Sequence, residues 1–263
     1  MALLVIGSGA WANKVSHKIS SLGIVEVGQI GARNFLKESP NADVYWIATT
    51  PILQIEILPT LPLRSKIIAE KPAFRNTKEL NIVRQQFERR GGDIFFSLPW
   101  NYSCIVDEIR RQINDDKINC INIIRGGPQR RKYIPPYLDW LPHDLGLLSL
   151  FESLEPFMID SISFEDEIIS IQWSSKNKKI HLQSGYFPKK VAAWTFSSHE
   201  GPDYELNLYH EISTRNEDPI SIMFETFLAS KVSSNQLFKL WNLFFSTIDY
   251  LDLNSKVFFE GTY

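Results

Sequence analysis

Ala2-Leu3-Leu4-Val5-Ile6-Gly7-Ser8-Gly9-Ala10-Trp11-Ala12 is the stretch on which the reading of the whole chain turns. A short apolar run that ends at glycine reads as a strand buried on both faces. Beyond it, Trp11, Val15, Ile19 and Leu22 recur at helical spacing, and Gly23 supplies a stop. The link between strand and helix is G-x-G-x-x-A, Gly7 to Ala12. Gly7 allows the tight turn, Gly9 lets a pyrophosphate approach the backbone, and Ala12 lets helix and strand pack closely. A helix N-terminus offers free N–H groups and positive potential to that anion. A dinucleotide site is expected over Gly7, Gly9, Ala10, Trp11 and Ala12.

The same alternation continues outward. Strands are predicted at 24–30, 43–48, 66–69 and 93–98. Pro51 opens a helical segment with Ile52, Ile55 and Leu58 on one face, and another helix is predicted at about 77–90. Strands alternating with helices imply right-handed crossovers and a parallel sheet covered on both faces. The pattern stops near residue 98, so residues 1–98 are assigned to a Rossmann-type dinucleotide-binding domain. Residues 99–263 are assigned to an α+β domain for substrate binding and oligomerisation. It starts with a helix at 102–113, with Ile105, Val106, Ile109 and Ile113 on one side, and a strand at 118–124. Strand-like runs follow at 168–173, 180–183, 192–197 and 204–212, separated by turn-prone clusters, which predicts a mostly antiparallel sheet. Helices are predicted at 221–230 and 235–250. The fold class is therefore α/β followed by α+β.

Composition restricts partners. The 263 residues are 44% apolar and 22% charged, with a formal net charge of −2. No global positive field would hold a nucleic acid or an anionic membrane. The short basic run Arg130-Arg131-Lys132 reads as a solvated loop. Cys104 and Cys120 lack C-x-x-C spacing and read as buried free thiols, which fits a reducing cytoplasm. The first six residues carry no basic flank and are too short for a signal peptide or membrane span. A cytoplasmic protein with no membrane partner and no metal is expected.

The second strand bears on which dinucleotide binds. An acid at its end would accept bonds from the ribose hydroxyls of NAD. Here the residues are Gln29-Ile30-Gly31-Ala32-Arg33-Asn34. No acid repels a 2′-phosphate, and Arg33 could pair with one. The residues favour NADP, with NAD still open.

Two further segments, with a third later in the chain, carry a family resemblance. Tyr45-Trp46-Ile47-Ala48-Thr49-Thr50-Pro51, then Ile68-Ala69-Glu70-Lys71-Pro72, resembles the "I-A-T-P" and "C-E-K-P" motifs of the glucose–fructose oxidoreductase / inositol dehydrogenase (Gfo/Idh/MocA) family. Asp139-Trp140-Leu141-Pro142-His143-Asp144-Leu145 resembles its D-x-x-x-H segment. The resemblance spans about 1–150. It implies an NAD(P)-dependent oxidoreductase, with hydride passing between nicotinamide and a hydroxyl or carbonyl carbon of a sugar or nucleotide-linked sugar. It implies that Thr49, Thr50, Pro51, Glu70, Lys71 and Pro72 border the cofactor and that Pro72 follows a cis peptide bond. It implies that Lys71 polarises the substrate oxygen, that His143 is the acid/base and that Asp139 orients it or contacts substrate. It also implies a homo-oligomer, dimer or tetramer, paired through the C-terminal sheet.

Three departures stand beside these matches: the second domain is short for the family, Ile134-Pro135-Pro136-Tyr137 replaces glycines before the D-x-x-x-H segment, and Gln54 stands where a histidine often follows T-P. They leave open a cofactor-binding protein without turnover, or a reductase of an imine or other unsaturated group.

Overall fold

The first strand, β1 (Ala2–Ile6), runs into α1 (Ala10–Leu22) through the glycine turn. The computed structural model describes residues 1–91, 94–128, 131, 134–151, 154, 157–175, 178–229 and 235–254. Parts of several sequence readings, among them Arg130, Lys132, Gly92 and Asp93, lie outside these residues. The order continues with β2 (Glu26–Ile30), α2 (Ala32–Glu38), β3 (Val44–Ile47), α3 (Pro51–Ile57), β4 (Lys66–Glu70), α4 (Thr77–Arg89) and β5 (Ile94–Ser97). It goes on through α5 (Ile105–Asn114), β6 (Ile118–Gly127), α6 (Pro136–Leu148), β7 (Phe157–Glu165), β8 (Ile168–Ser175), β9 (Lys178–Tyr186), β10 (Val191–Ser198) and β11 (Tyr204–Asn207). It closes with α7 (Leu208–Thr214), α8 (Pro219–Ala229) and α9 (Asn235–Asn254).

The chain divides into two compact units, and the division is not linear. The first takes residues 1–102 and 218–238, and the second takes 103–217 and the chain from 239. The sequence division at residue 98 lacks that return. Its physical reason is aromatic burial on the first sheet. Phe224 of α8 stacks on Trp46 of β3 with centroids 6.0 Å apart, and Phe227 meets Phe95 of β5 at 5.4 Å. Lys18 on α1 pairs with Asp218 just before α8.

The first unit is built on a five-stranded sheet of order β2-β1-β3-β4-β5, with every pairing parallel. Strands β3 and β5 are buried at every residue, as continuous apolar runs require when helices cover both faces. This is the Rossmann-type arrangement the alternation predicts. On α3 the observed inner face differs from the predicted one. Pro51, Gln54, Ile57 and Leu58 are buried, whereas Ile52 is exposed, because the helix turns an amide inward rather than a third isoleucine.

The second unit holds a six-stranded sheet of order β11-β10-β6-β9-β8-β7. Only β6 and β9 run parallel; the other pairs are antiparallel. Ile169, Ile171 and Trp173 on β8 point to the covered face, while Gln172 is exposed on the other. The helix α6 packs against β6, β8 and β9 and is buried from Tyr137 to Leu148. One element differs from expectation. The strand-like run 204–212 ends at Asn207, whose side chain accepts a hydrogen bond from the His210 N–H and starts α7.

Candidate active site

All five strands of the first sheet are parallel, so the loops after β1, β2, β3 and β4 leave the same edge. The strand order reverses beside β1, whose neighbours are β2 and β3. Such a reversal opens a crevice at the carboxyl ends of the strands. Gly7–Ala12 and Thr49–Pro51 lie on its two sides.

Gly7 is required by packing. A Cβ there would lie 2.3 Å from the Ala48 carbonyl oxygen and 3.0 Å from the Ala12 Cβ. Its N–H donates to the Ile30 carbonyl at 2.8 Å, tying the turn to β2. Gly9 is different. It caps α1 in an extended conformation, and a Cβ there would meet nothing within 4 Å. No side chain caps α1, and no acid occupies its first turn. An open glycine beside uncapped helical N–H groups fits a pyrophosphate. A side chain here would enter open space rather than strike the protein.

Where an acid would contact a ribose, β2 offers Gln29. Its Nε2 donates to the Gly7 carbonyl at 2.9 Å and to Asn13 Oδ1 at 2.7 Å, so it braces the glycine turn. Arg33 follows on the first turn of α2, capped by Gly31, and its side chain is exposed.

The loops after β3 and β4 are tied together. Thr50 precedes α3, with Pro51 at its first position, where a missing N–H costs nothing. The Lys71–Pro72 peptide is cis. Gln54 of α3, fully buried, aims its Nε2 at three carbonyls: Glu70 at 2.9 Å, Thr49 at 3.3 Å and Pro72 at 3.3 Å. Beneath this turn the Glu70 carboxylate accepts the Trp46 indole N–H at 2.9 Å. Ser97, Trp11 and the Lys71 ammonium also face it. Burial nonetheless holds the Glu70 carboxyl above the usual carboxylate range. Thus Trp11 of the glycine turn and Glu70 belong to one buried cluster.

The second unit carries Asp139 and His143 one turn apart on α6, both buried. Pro142 cannot donate the helical bond to the Leu138 carbonyl. Asp139 pairs with Arg131, Oδ2 to Nε 3.2 Å. Arg131 is therefore not the solvated loop residue that its basic neighbours suggest. The next residue after His143, Asp144, anchors the helix. Its Oδ2 accepts from Arg125 Nε at 2.6 Å and its Oδ1 from Trp194 Nε1 at 3.1 Å. Arg125 and Asp144 side chains are 1% and 0% exposed.

Gln54, Arg131, Arg125 and Asp144 were not among the expected site residues. Arg125 did carry a signal. It continues the inward register Ile121–Ile123 of β6, and a cation there requires a buried partner. Gln54 was marked only by its place after the T-P motif, where a histidine often stands, and Arg131 carried no signal that spacing could reveal.

No family model matches the sequence, and no curated protein matches it. Solved structures do match. A dehydrogenase from Clostridium difficile aligns with TM-score 0.67 and 14% identity, covering 95% of this chain and 99% of that one. An oxidoreductase from Magnetospirillum magnetotacticum aligns with TM-score 0.67 and 12% identity, covering 92% and 98%. The scyllo-inositol dehydrogenase from Lactobacillus casei, solved with NAD(H) and scyllo-inositol, aligns with TM-score 0.66 and 10% identity, covering 90% and 93%. The chain shares the two-part fold of these proteins, a Rossmann-type parallel sheet unit and a mixed, mostly antiparallel sheet unit.

Proposed function

We propose that the chain belongs to the Gfo/Idh/MocA family and is an NAD(P)-dependent oxidoreductase of a sugar, polyol or nucleotide-linked sugar. The observation that carries this reading is Gly9. It caps α1 with open space at the strand-order reversal of a parallel sheet, on the edge that also bears the Lys71–Pro72 turn. The fold shared with dehydrogenases, one of them solved with NAD(H) and scyllo-inositol, agrees with it. A bound nicotinamide supplies the hydride chemistry.

The chain's own residues supply position and charge. The N–H groups of Gly9, Ala10 and Trp11 bind the pyrophosphate, with Gly7 and Ala12 permitting the turn. Arg33 pairs with the 2′-phosphate, which makes NADP the preferred cofactor over NAD. Thr49, Thr50, Pro51, Glu70 and Pro72 shape the nicotinamide end. Lys71 polarises the substrate oxygen and stabilises charge that develops on it. His143 moves the proton, and Asp139, held by Arg131, sets the polar surroundings of that helix turn. The first unit is the cofactor domain. The second is the substrate domain, and its exposed sheet face is the homo-oligomer contact. Among the described residues no helix is long and apolar enough to cross a membrane, and the cytoplasm is the proposed compartment.

A fluorescence titration with NADPH, followed by turnover assays with inositols, sugars and nucleotide-linked sugars, tests this reading. The wild type should bind and turn over one of these. Gly9→Val should stay folded by circular dichroism yet lose cofactor binding. Normal binding by a folded Gly9→Val protein would make the glycine turn purely structural. Binding without turnover on any substrate would leave a cofactor-binding protein.

A further inference from the structure

We propose that Gln54 is a positioning residue that holds Lys71 in place by clamping the chain on both sides of it. The proposal rests on the reading of the Lys71 turn as the nicotinamide end of the cofactor site.

The geometry is local to the first unit. The two carbonyls that flank Lys71 in sequence, those of Glu70 and Pro72, both face Gln54 Nε2, at 2.9 and 3.3 Å. The third acceptor is the Thr49 carbonyl at 3.3 Å, immediately before the Thr50-Pro51 start of α3. One NH₂ group thus joins the loop after β3 to the loop after β4. Two hydrogens cannot serve three acceptors equally, so the 2.9 Å bond to Glu70 is the main tie and the others share the second hydrogen.

The residue type follows from its surroundings. Gln54 is 0% exposed, on a helix face shared with Pro51, Ile57 and Leu58. Packing alone would favour an apolar side chain there, because a buried amide costs free energy unless it is bonded. What the site needs is a neutral donor. The acceptors lie at the end of β4 (Glu70) and in the loops beyond β3 and β4 (Thr49 and Pro72), and buried backbone acceptors must be satisfied. Methionine or leucine would fill the space without donating, and glutamate would set a carboxylate against three carbonyl oxygens. The other end of the amide points the same way: Oε1 makes no hydrogen bond within the described residues. The donor end is the one the structure uses.

Lys71 directly follows the last residue of β4, outside the sheet ladder. A side chain that must meet a reacting oxygen depends on its backbone being fixed, since small misplacements cost rate more than binding. Gln54 provides that fixation from the neighbouring helix α3.

The experiment compares Gln54→Met, which keeps length without a donor, with Gln54→His, which restores an N–H donor at similar reach. Amide hydrogen exchange is measured on the apo protein, then NADPH affinity, then kcat and KM on a substrate found for the wild type. In Gln54→Met, exchange at Thr49, Thr50, Lys71 and Ala73 should rise about tenfold while β5 and α1 keep their rates, consistent with one to two lost hydrogen bonds. NADPH affinity should change by no more than about threefold, and kcat should fall about tenfold or more with KM little changed. Gln54→His should return both exchange and kcat most of the way. Unchanged exchange at those four amides in Gln54→Met would overturn the proposal. So would faster exchange spread evenly over the whole unit and not rescued by histidine, because that describes packing alone. If the wild type fails to bind NADPH, the cofactor reading falls and Gln54 loses its assigned purpose. The exchange data still decide separately whether Gln54 holds the turn.

Discussion

Removing the carboxylate of Asp144 should destabilise the second unit more than a core truncation of similar size. Asp144 Oδ2 lies 2.6 Å from Arg125 Nε, and the two side chains are 0% and 1% exposed. The other oxygen accepts the Trp194 indole at 3.1 Å. Asp144→Ala takes the paired carboxylate away from a buried guanidinium, a loss of about 3–5 kcal/mol for a broken buried pair. The indole N–H loses its partner too, adding roughly 1 kcal/mol. For a unit of this size each kcal/mol moves Tm by about 2–4 °C, so the loss of about 4–6 kcal/mol should lower Tm by about 8–24 °C. Scanning calorimetry reads it directly, and the transition that shifts should be the one belonging to the second unit. The control is Asp144→Leu combined with Arg125→Met, which removes both charges while keeping volume. Replacing a buried pair by apolar residues is often neutral, so the double variant should recover most of the loss. A Tm within about 2 °C of wild type for Asp144→Ala would refute the reasoning, since a broken buried pair should cost several times more than that shift represents. A double variant as unstable as the sum of the singles would refute it equally. Because Asp144 follows His143 on α6, turnover should fall with the single substitution even below its melting range.

Other outcomes are expected at the first unit and at α6. Burial raises the Glu70 carboxyl above its ordinary value, so the folded state holds a proton that the unfolded chain has released. Stability attributable to this group therefore falls as pH rises out of the usual carboxylate range, and Glu70→Gln should gain on the wild type from about pH 4 upward. Thermal melts across pH test it, and an advantage that does not grow with pH would contradict the assignment. Arg33→Ala should weaken NADP binding by about 1–3 kcal/mol and leave NAD nearly untouched. Tighter binding of NAD than of NADP by the wild type would remove the motive for that residue. His143→Asn should keep fold and cofactor affinity and cut turnover roughly 10²–10⁴-fold on a verified substrate. Near-normal turnover would place the proton donor elsewhere.

The alternation of strands and helices was legible because it is written locally. Apolar runs buried on both faces end at glycine, as at Ile6-Gly7, and amphipathic helices such as α1 and α5 repeat their apolar residues at the period of the backbone. The glycine turn and the Glu70-Lys71-Pro72 and Asp139-x-x-x-His143 segments were legible as motifs for a related reason: each keeps its residue types within one turn or loop. The helix α2 was missed because it is 7 residues long and is capped by glycine, without a side-chain signal. The strand reading of 204–212 failed where Asn207 caps α7, a bond that outweighs the apparent β pattern.

Apolar spacing alone determined that a parallel sheet comes first and a mostly antiparallel one second, and the Gly7–Ala12 motif marked the glycine turn after the first strand. Only the tertiary structure decided that residues 218–238 return to the first unit, that Arg131 answers Asp139, that Arg125 answers Asp144, and that Gln54 faces Glu70, Thr49 and Pro72. The physical reason is the same in each case. Periodicity reports how much water a side chain avoids, whereas the partner of a buried polar group or of an aromatic face is set by which distant segments the fold brings alongside it.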